Sequence, residues 1–258
     1  MTDFPELEQK ELRRYKRHIM LPQIGEAGQK KLKNAKVLVV GAGGLGCPVL
    51  QYLSAAGVGT LGIMDDDFVD ESNLQRQVLY GLNDLGKLKA IIARERLTEK
   101  NPLIQYRILN IRLHDKNVLE IVPEYDIVVD ATDNYPSRYL INDVCVTLGK
   151  PMVYGAIYQF EGHVSVLNYK GGPTYRCLFP EAPRRFEAPE PTETGVIGVL
   201  PGVIGTLQAT EVVKMILGRK EILAGKLLIV DILKQETRKI AIPLNPDNLQ
   251  VKFIPAGE

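Results

Sequence analysis

The segment Gly41-Ala42-Gly43-Gly44-Leu45-Gly46 constrains this chain more than any other part of it. It directly follows the apolar run 36–40 and precedes a stretch of helical composition over 43–56. A glycine fingerprint between a strand and a helix is the context in which backbone N–H groups at a helix start can face a phosphate. In that reading Gly41 permits the tight turn, Gly43 lets the backbone approach phosphate, and Gly46 allows close packing of the helix, with Gly44 counted among the same cofactor-binding residues. Asp65 ends the next apolar run, 60–64, about 20 residues on, where a carboxylate can hold ribose hydroxyls. The loop alone does not choose between NAD and ATP, since both present a ribose and a phosphate.

Apolar runs and helical stretches continue to alternate. Strands are predicted at 105–111, 126–130 and 151–157, and helices at 87–100 and 134–148, which implies a parallel sheet covered on both faces. The stretch 162–169 reads as an antiparallel addition, followed by a helix near 200–217 and strands near 226–231 and 237–243. The first 34 residues read as helical, with a break near Pro22 and Gly25. The expected fold is therefore a Rossmann-like α/β domain over 1–258. It would have helices at 1–34, a nucleotide-binding core at 35–160, and an antiparallel part at 161–258 that carries a proline-rich, charged loop at 180–194.

Bulk properties exclude several function classes. Of the 258 residues, 45% are hydrophobic and 24% charged, as in an ordinary globular domain rather than a disordered chain. A formal net charge of +1 gives no electrostatic reason to expect nucleic acid or a membrane surface as partner. Cys47, Cys145 and Cys177 are widely spread and offer no disulfide framework. The acidic start has no apolar core of the kind a signal peptide needs, and the run 196–217 is interrupted by Pro201, Gln208, Glu211 and Lys214. A cytoplasmic protein is expected.

A second set of residues decides which nucleotide chemistry to expect. Asn73, Arg76, Gln77, Lys89 and Asp133 add cations, amides and a carboxylate near the C-terminal edge of the sheet. Hydride transfer has no need of cations around the phosphates. Nucleotidyl transfer does, because charge on the phosphate must be neutralised while pyrophosphate leaves. Asp133, at a strand end, can hold magnesium through hard oxygen.

Taken in order, Gly41 to Gly46, Asp65-x-Asp67, Ser72-Asn73-Leu74-Gln75-Arg76-Gln77, Gly86-Lys87-Leu88-Lys89 and Ala131-Thr132-Asp133-Asn134 resemble the MoeB/ThiF/HesA adenylyltransferases, relatives of the ubiquitin-activating enzymes. The likeness begins at Arg14-Tyr15-Lys16-Arg17-His18 and runs to Asn245-Pro246. It implies ATP-magnesium-dependent adenylation of the terminal Gly-Gly carboxylate of a ubiquitin-fold sulfur carrier in a molybdopterin, thiamine or related pathway. Thiocarboxylate formation would then use sulfur from a separate cysteine desulfurase or rhodanese. By the same resemblance Asp65 and the motif's Asp67 lie at the nucleotide, Asn73, Arg76 and Lys89 hold phosphates, and Asp133 holds magnesium. Arg17 matches an arginine inserted into the neighbouring subunit's site, which implies a homodimer. The loop 180–194 matches a crossover segment over the carrier's tail.

The chain also departs from that family. Where many members carry two Cys-x-x-Cys pairs on zinc, this sequence has Thr174-Tyr175-Arg176-Cys177 and then Asn248 and Val251. One thiolate cannot make a closed zinc site, so no zinc is expected and Cys177 reads as a buried remnant. Pro191 stands where members that form a covalent link have cysteine, which leaves adenylation but removes a thioester step. Cys47 and Cys145 read as packing residues and His18 and His163 as structural; a plain surface loop at 180–194, with Arg184 and Arg185 as ordinary solvated charge, is the alternative to the crossover segment. Competing readings are adenylation of another carboxylate (a peptide C-terminus or a tRNA-linked carboxyl), a non-catalytic carrier-binding scaffold, and a nicotinamide dehydrogenase that rests on the glycine loop alone.

Overall fold

The computed structural model describes residues 4–181 and 195–253. Pro191, Arg184, Arg185 and most of the loop expected at 180–194 lie outside those residues. The chain opens with three short helices, α1 (Gln9–Arg14), α2 (Lys16–Ile19) and α3 (Gly25–Asn34). Buried Tyr15 anchors them, its hydroxyl accepting from Asn101 Nδ2 at 2.9 Å. Then follow β1 (Lys36–Val40), α4 (Gly46–Ala56), β2 (Thr60–Met64), α5 (Lys89–Lys100), β3 (Gln105–Leu109), α6 (Val118–Ile121), β4 (Ile127–Asp130) and α7 (Tyr135–Thr147). The rest comprises β5 (Met152–Tyr158), β6 (Glu161–Leu167), α8 (Tyr175–Leu178), α9 (Val199–Ile216), β7 (Lys226–Asp231) and β8 (Glu236–Ala241).

The strands form one sheet in the order β3-β2-β1-β4-β5-β6-β7-β8. β3 to β5 in this order pair in parallel, and β6, β7 and β8 join antiparallel. Alternate side chains of β1 feed opposite layers, as a period of two requires. Val37 and Val39 pack with α4, α5 and α9, whereas Leu38 and Val40 pack with α7 and the tyrosines of β5 and α8. Both faces are covered, which is why β1, β2 and β4 are near-continuous apolar runs.

From β1 the chain winds outward to β2 and β3, then returns to β4 on the other side. That reversal opens a crevice beyond the strands' C-terminal ends, the usual ligand position in open α/β sheets. α9 is the one helix among the described residues long and apolar enough to cross a membrane, with a mean hydropathy of 1.2. Here it lies against α4, β5 and β6. Its Gln208 Nε2 donates to the carbonyls of Asp130 at 2.7 Å and Val153 at 3.2 Å, which fits a core helix better than a lipid-facing one.

Two expectations need correcting. The helix after the glycine loop starts at Gly46 rather than residue 43, because residues 41–45 are used by the glycine-rich turn. Cys177 is half-exposed rather than buried, since it sits on the short α8 at the rim of the domain.

Candidate active site

Gly41 has φ +98°, a left-handed conformation that L side chains rarely adopt. A Cβ at Gly46 would lie 1.9 Å from the Gly41 carbonyl oxygen, so the loop closes onto the start of α4 only because both positions are bare. The turn is also fixed from beneath. The Ala42 carbonyl accepts from Tyr80 Oη at 2.7 Å and from Cys47 Sγ at 3.4 Å. Asp65 Oδ2 accepts from Ala42 N at 2.7 Å, and its Oδ1 from Asp67 N at 2.9 Å. Burial raises the Asp65 carboxyl, opposed by those N–H groups and by the Lys89 charge. Asp65 therefore shapes the loop, and its oxygens keep further lone pairs for a ligand.

The turn after Asp70 supplies the next layer. Asp70 Oδ1 accepts from Ser72 N at 2.8 Å and so starts a short helical turn that brings Asn73, Arg76 and Gln77 onto one side. Asn73 Oδ1 receives both Arg76 Nη2 and Gln77 Nε2, each at 2.9 Å. Gln77 is buried, and its Oε1 has no partner. Lys89, the first residue of α5, is also buried, yet its ammonium reaches the exposed carboxylate of Asp67 at 3.0 Å. A half-solvated partner such as Asp67 holds a cation loosely, so Lys89 stays available to a phosphate.

These groups share one cavity of about 520 Å³. Gly41, Gly43, Gly44, Asp65, Asp67, Asn73, Arg76, Gln77, Lys89 and Asp133 all line it. Gly46 lies behind the wall as packing support. Arg17 is solvent-exposed on α2 and is not part of this chain's own cavity. The volume suits a nucleotide with part of an acceptor.

The opposite wall was not anticipated from sequence. It carries Arg138, Tyr154, Tyr175, Phe179 and His163, the last bonded to Glu161 at 3.0 Å. Arg138 is nearly buried beside the fully buried Asp130, with Nε 3.8 Å from Oδ2. A sequence signal existed. Arg138 falls in the first turns of a helix whose N-cap is Asn134, where the macrodipole disfavours a cation unless an acid compensates it. Asp130, a carboxylate that closes the apolar run Ile127-Val128-Val129, is that acid.

Magnesium fits this donor set. Asp133 projects an exposed carboxylate into the cavity, and the Asp65, Asp66 and Asp67 oxygens lie within 4.8 Å of one another, all hard ligands. Zinc does not fit the corner at Cys177. There the sulfur has Asn248 Nδ2 at 3.5 Å, Thr174 N at 3.4 Å and Thr174 Oγ1 at 3.6 Å, so its neighbours are an amide, a backbone N–H and a hydroxyl rather than further thiolates. The other cysteines are packing residues. Burial pushes the Cys47 thiol up to about 12 and raises that of Cys145 further.

The chain is similar to several known proteins over most of its length. The sulfur carrier protein adenylyltransferase of Thermus thermophilus is 52% identical over 241 residues, covering 92% of this chain and 89% of that protein. The probable molybdopterin-synthase adenylyltransferase of Porphyra purpurea is 52% identical over 220 residues, covering 84% of this chain but only 57% of that longer protein. Among solved structures, E. coli MccB with MccA-N7isoASN superposes with a TM-score of 0.80 at 25% identity, over 90% of this chain and 72% of that one. Residues 15–251 match the ThiF family, and with these relatives they establish that the chain belongs to it.

Proposed function

We propose that this chain is an adenylyltransferase that joins AMP from ATP to the C-terminal Gly-Gly carboxylate of a small ubiquitin-fold sulfur carrier. The observation that carries this reading is a single cavity in which a bare glycine loop faces Arg76 and Lys89 on one side and Asp133 on the other. Relatives named as sulfur carrier, molybdopterin-synthase and SAMP-activating enzymes support the acceptor class.

The carboxylate nucleophile is already ionised at neutral pH, so no general base is needed. What the reaction needs is fixed positive charge, because an anion must approach an anionic phosphorus. Asn73 holds Arg76 and Gln77 in place, and Lys89 exchanges Asp67 for a phosphate oxygen as the triphosphate enters. The carboxylate oxygen bonds to the α-phosphorus, the bond to the bridging oxygen breaks, and pyrophosphate leaves with its electron pair. Preorganised charge and positioning supply most of the rate. Magnesium, held by Asp133, would neutralise charge on the departing pyrophosphate.

Two further parts belong to the same proposal. Arg17 completes the neighbouring subunit's site in a homodimer. Exposed Val78, Leu82 and Val199 support a covered face, and Gly198 beside the Gln75 carbonyl joins the start of α9 to that turn. The sulfur donor is a separate protein. No zinc is bound, because the Cys177 corner closes on its own hydrogen bonds.

Pyrophosphate exchange tests the reading. Labelled pyrophosphate should enter ATP only when a carrier ending in Gly-Gly is present. Exchange with a free peptide instead would move the acceptor class. Nucleotide binding without exchange for any carrier would leave a scaffold.

A further inference from the structure

Three contacts converge on Thr132, the residue immediately before Asp133. Asp130 Oδ1 accepts from Thr132 N at 3.0 Å and from Thr132 Oγ1 at 2.6 Å. Arg138 Nη2 donates to the Thr132 carbonyl at 3.1 Å. Both charged members are taken out of water, Asp130 wholly and the Arg138 side chain to 11% exposure. The rings of Tyr135 and Tyr154 lie 5.8 and 5.7 Å from the Arg138 guanidinium carbon. Gln208 of α9 fixes the Asp130 main chain through its carbonyl at 2.7 Å.

Burying an ion pair is expensive, and hydrophobic residues of similar volume often serve stability as well. This pair is not optimised for strength either. Its Nε–Oδ2 separation is 3.8 Å, and Asp130 Oδ2 and Arg138 Nε have no hydrogen-bond partner. Its well-formed bonds go to Thr132, whose own side chain reacts with nothing. A construction that holds both the N–H and the C=O of one peptide residue fixes the direction in which the next side chain leaves the strand end, and that side chain is Asp133.

We infer that Asp130 and Arg138 are positioning residues which, through Thr132, aim the Asp133 carboxylate at the metal-nucleotide. The inference rests on the metal role of Asp133 proposed above. Neither positioning residue touches the metal. Outer partners that orient a ligand commonly change metal affinity by about 10–100-fold when removed.

The test measures metal binding itself. Mn²⁺ is titrated by electron paramagnetic resonance into the full chain with a non-hydrolysable ATP analogue, beside metal-free nucleotide affinity and thermal melting. Asp130→Asn leaves a buried guanidinium unpaired and endangers the fold, so the informative pair is Thr132→Val and Thr132→Ser. Thr132→Val removes one bond to Asp130 without unpairing a charge. It should weaken Mn²⁺ binding about tenfold, with metal-free nucleotide affinity unchanged and melting lowered by only a few degrees, and Thr132→Ser should restore both. Arg138→Lys, which loses the planar fork, should behave like Thr132→Val. Wild-type Mn²⁺ affinity in both Thr132→Val and Arg138→Lys would overturn the inference, as would an equal fall in metal-free nucleotide binding. Asp133→Asn separates the two levels. If it leaves Mn²⁺ binding intact, the metal reading fails; if it weakens binding while Thr132→Val does not, only the positioning role fails.

Discussion

The nucleotide cavity and the rim corner around Cys177 use their polar side chains in opposite ways. Along the cavity wall Gln77 Oε1, Arg138 Nε and Tyr175 Oη are buried without partners, and the Lys89 ammonium rests on a carboxylate that is mostly in water. At the corner the Cys177 sulfur, Thr174 and Asn248 bond to one another, and none of their buried atoms is left over among the described residues. Unsatisfied buried polar atoms are costly, so a fold keeps a group of them where a ligand will complete them. The corner has no such need. The contrast separates a site built for an incoming group from one that closes on itself.

The largest test of the contrast uses the two cysteines that mark the regions. Cys47 lies under the glycine loop with its thiol at about 12, so at pH 8 roughly one molecule in 10⁴ carries the thiolate. Cys177 is half-exposed. Burial raises its thiol, but hydrogen bonds donated by Asn248 and Thr174 outweigh this and hold it below the ordinary value. Iodoacetamide at pH 8 should therefore label Cys177 alone, more than about 10³-fold faster than Cys47, as read by peptide mass spectrometry. Comparable labelling of Cys47 in the native protein would mean that the loop floor is not sealed.

Next in size is Lys89→Ala. Removing one cation from a preorganised anion site costs about 10²–10³ in rate, and its exposed partner Asp67 is left in water, so melting should barely move. Carrier-dependent pyrophosphate exchange reads the effect, and a loss below tenfold would show that the cavity does not use this charge. The proposed shared-site dimer gives a smaller but sharper number. Arg17→Ala alone should be inactive. Mixed and re-equilibrated with Lys89→Ala, it should recover about a quarter of wild-type activity, because half the dimers are mixed and each has one complete site. No recovery after subunit exchange would confine Arg17 to its own chain.

Much of the cavity was legible in the sequence because its requirements are local. A strand, a bare turn and a helix start must be consecutive, and 36–56 states them in order. Likewise β2 is apolar up to Asp65, and Asn73, Arg76 and Gln77 fall together through spacing alone. The opposite wall was less legible because most of it is assembled across the sheet, with Tyr175 and His163 arriving from α8 and β6; only the Asp130–Arg138 pair, joined by the turn into α7, left a local trace. The exposure of Cys177 was misjudged for a related reason. A missing thiolate reveals that a metal is not held, but not whether the remaining sulfur turns inward.

The smallest effect is expected at the corner itself. Asn248→Ala removes the Nδ2 contact to Cys177 Sγ, a partly solvated hydrogen bond worth about 0.5 kcal/mol, or about 1–2 °C in melting temperature for a chain of this size. The pH dependence gives this small loss a signature. A thiol whose folded value is depressed contributes stability that is present above the unfolded value and disappears as pH falls through the folded one. The cost of Asn248→Ala should therefore be greater at pH 9.5 than at pH 7, while carrier-dependent exchange at pH 7.5 stays at the wild-type rate. Added zinc or a chelator should leave both melting curves in place. A chelator that lowered the wild-type curve would place a metal at the corner and erase the contrast, because the corner would then be waiting for an ion as the cavity waits for its nucleotide.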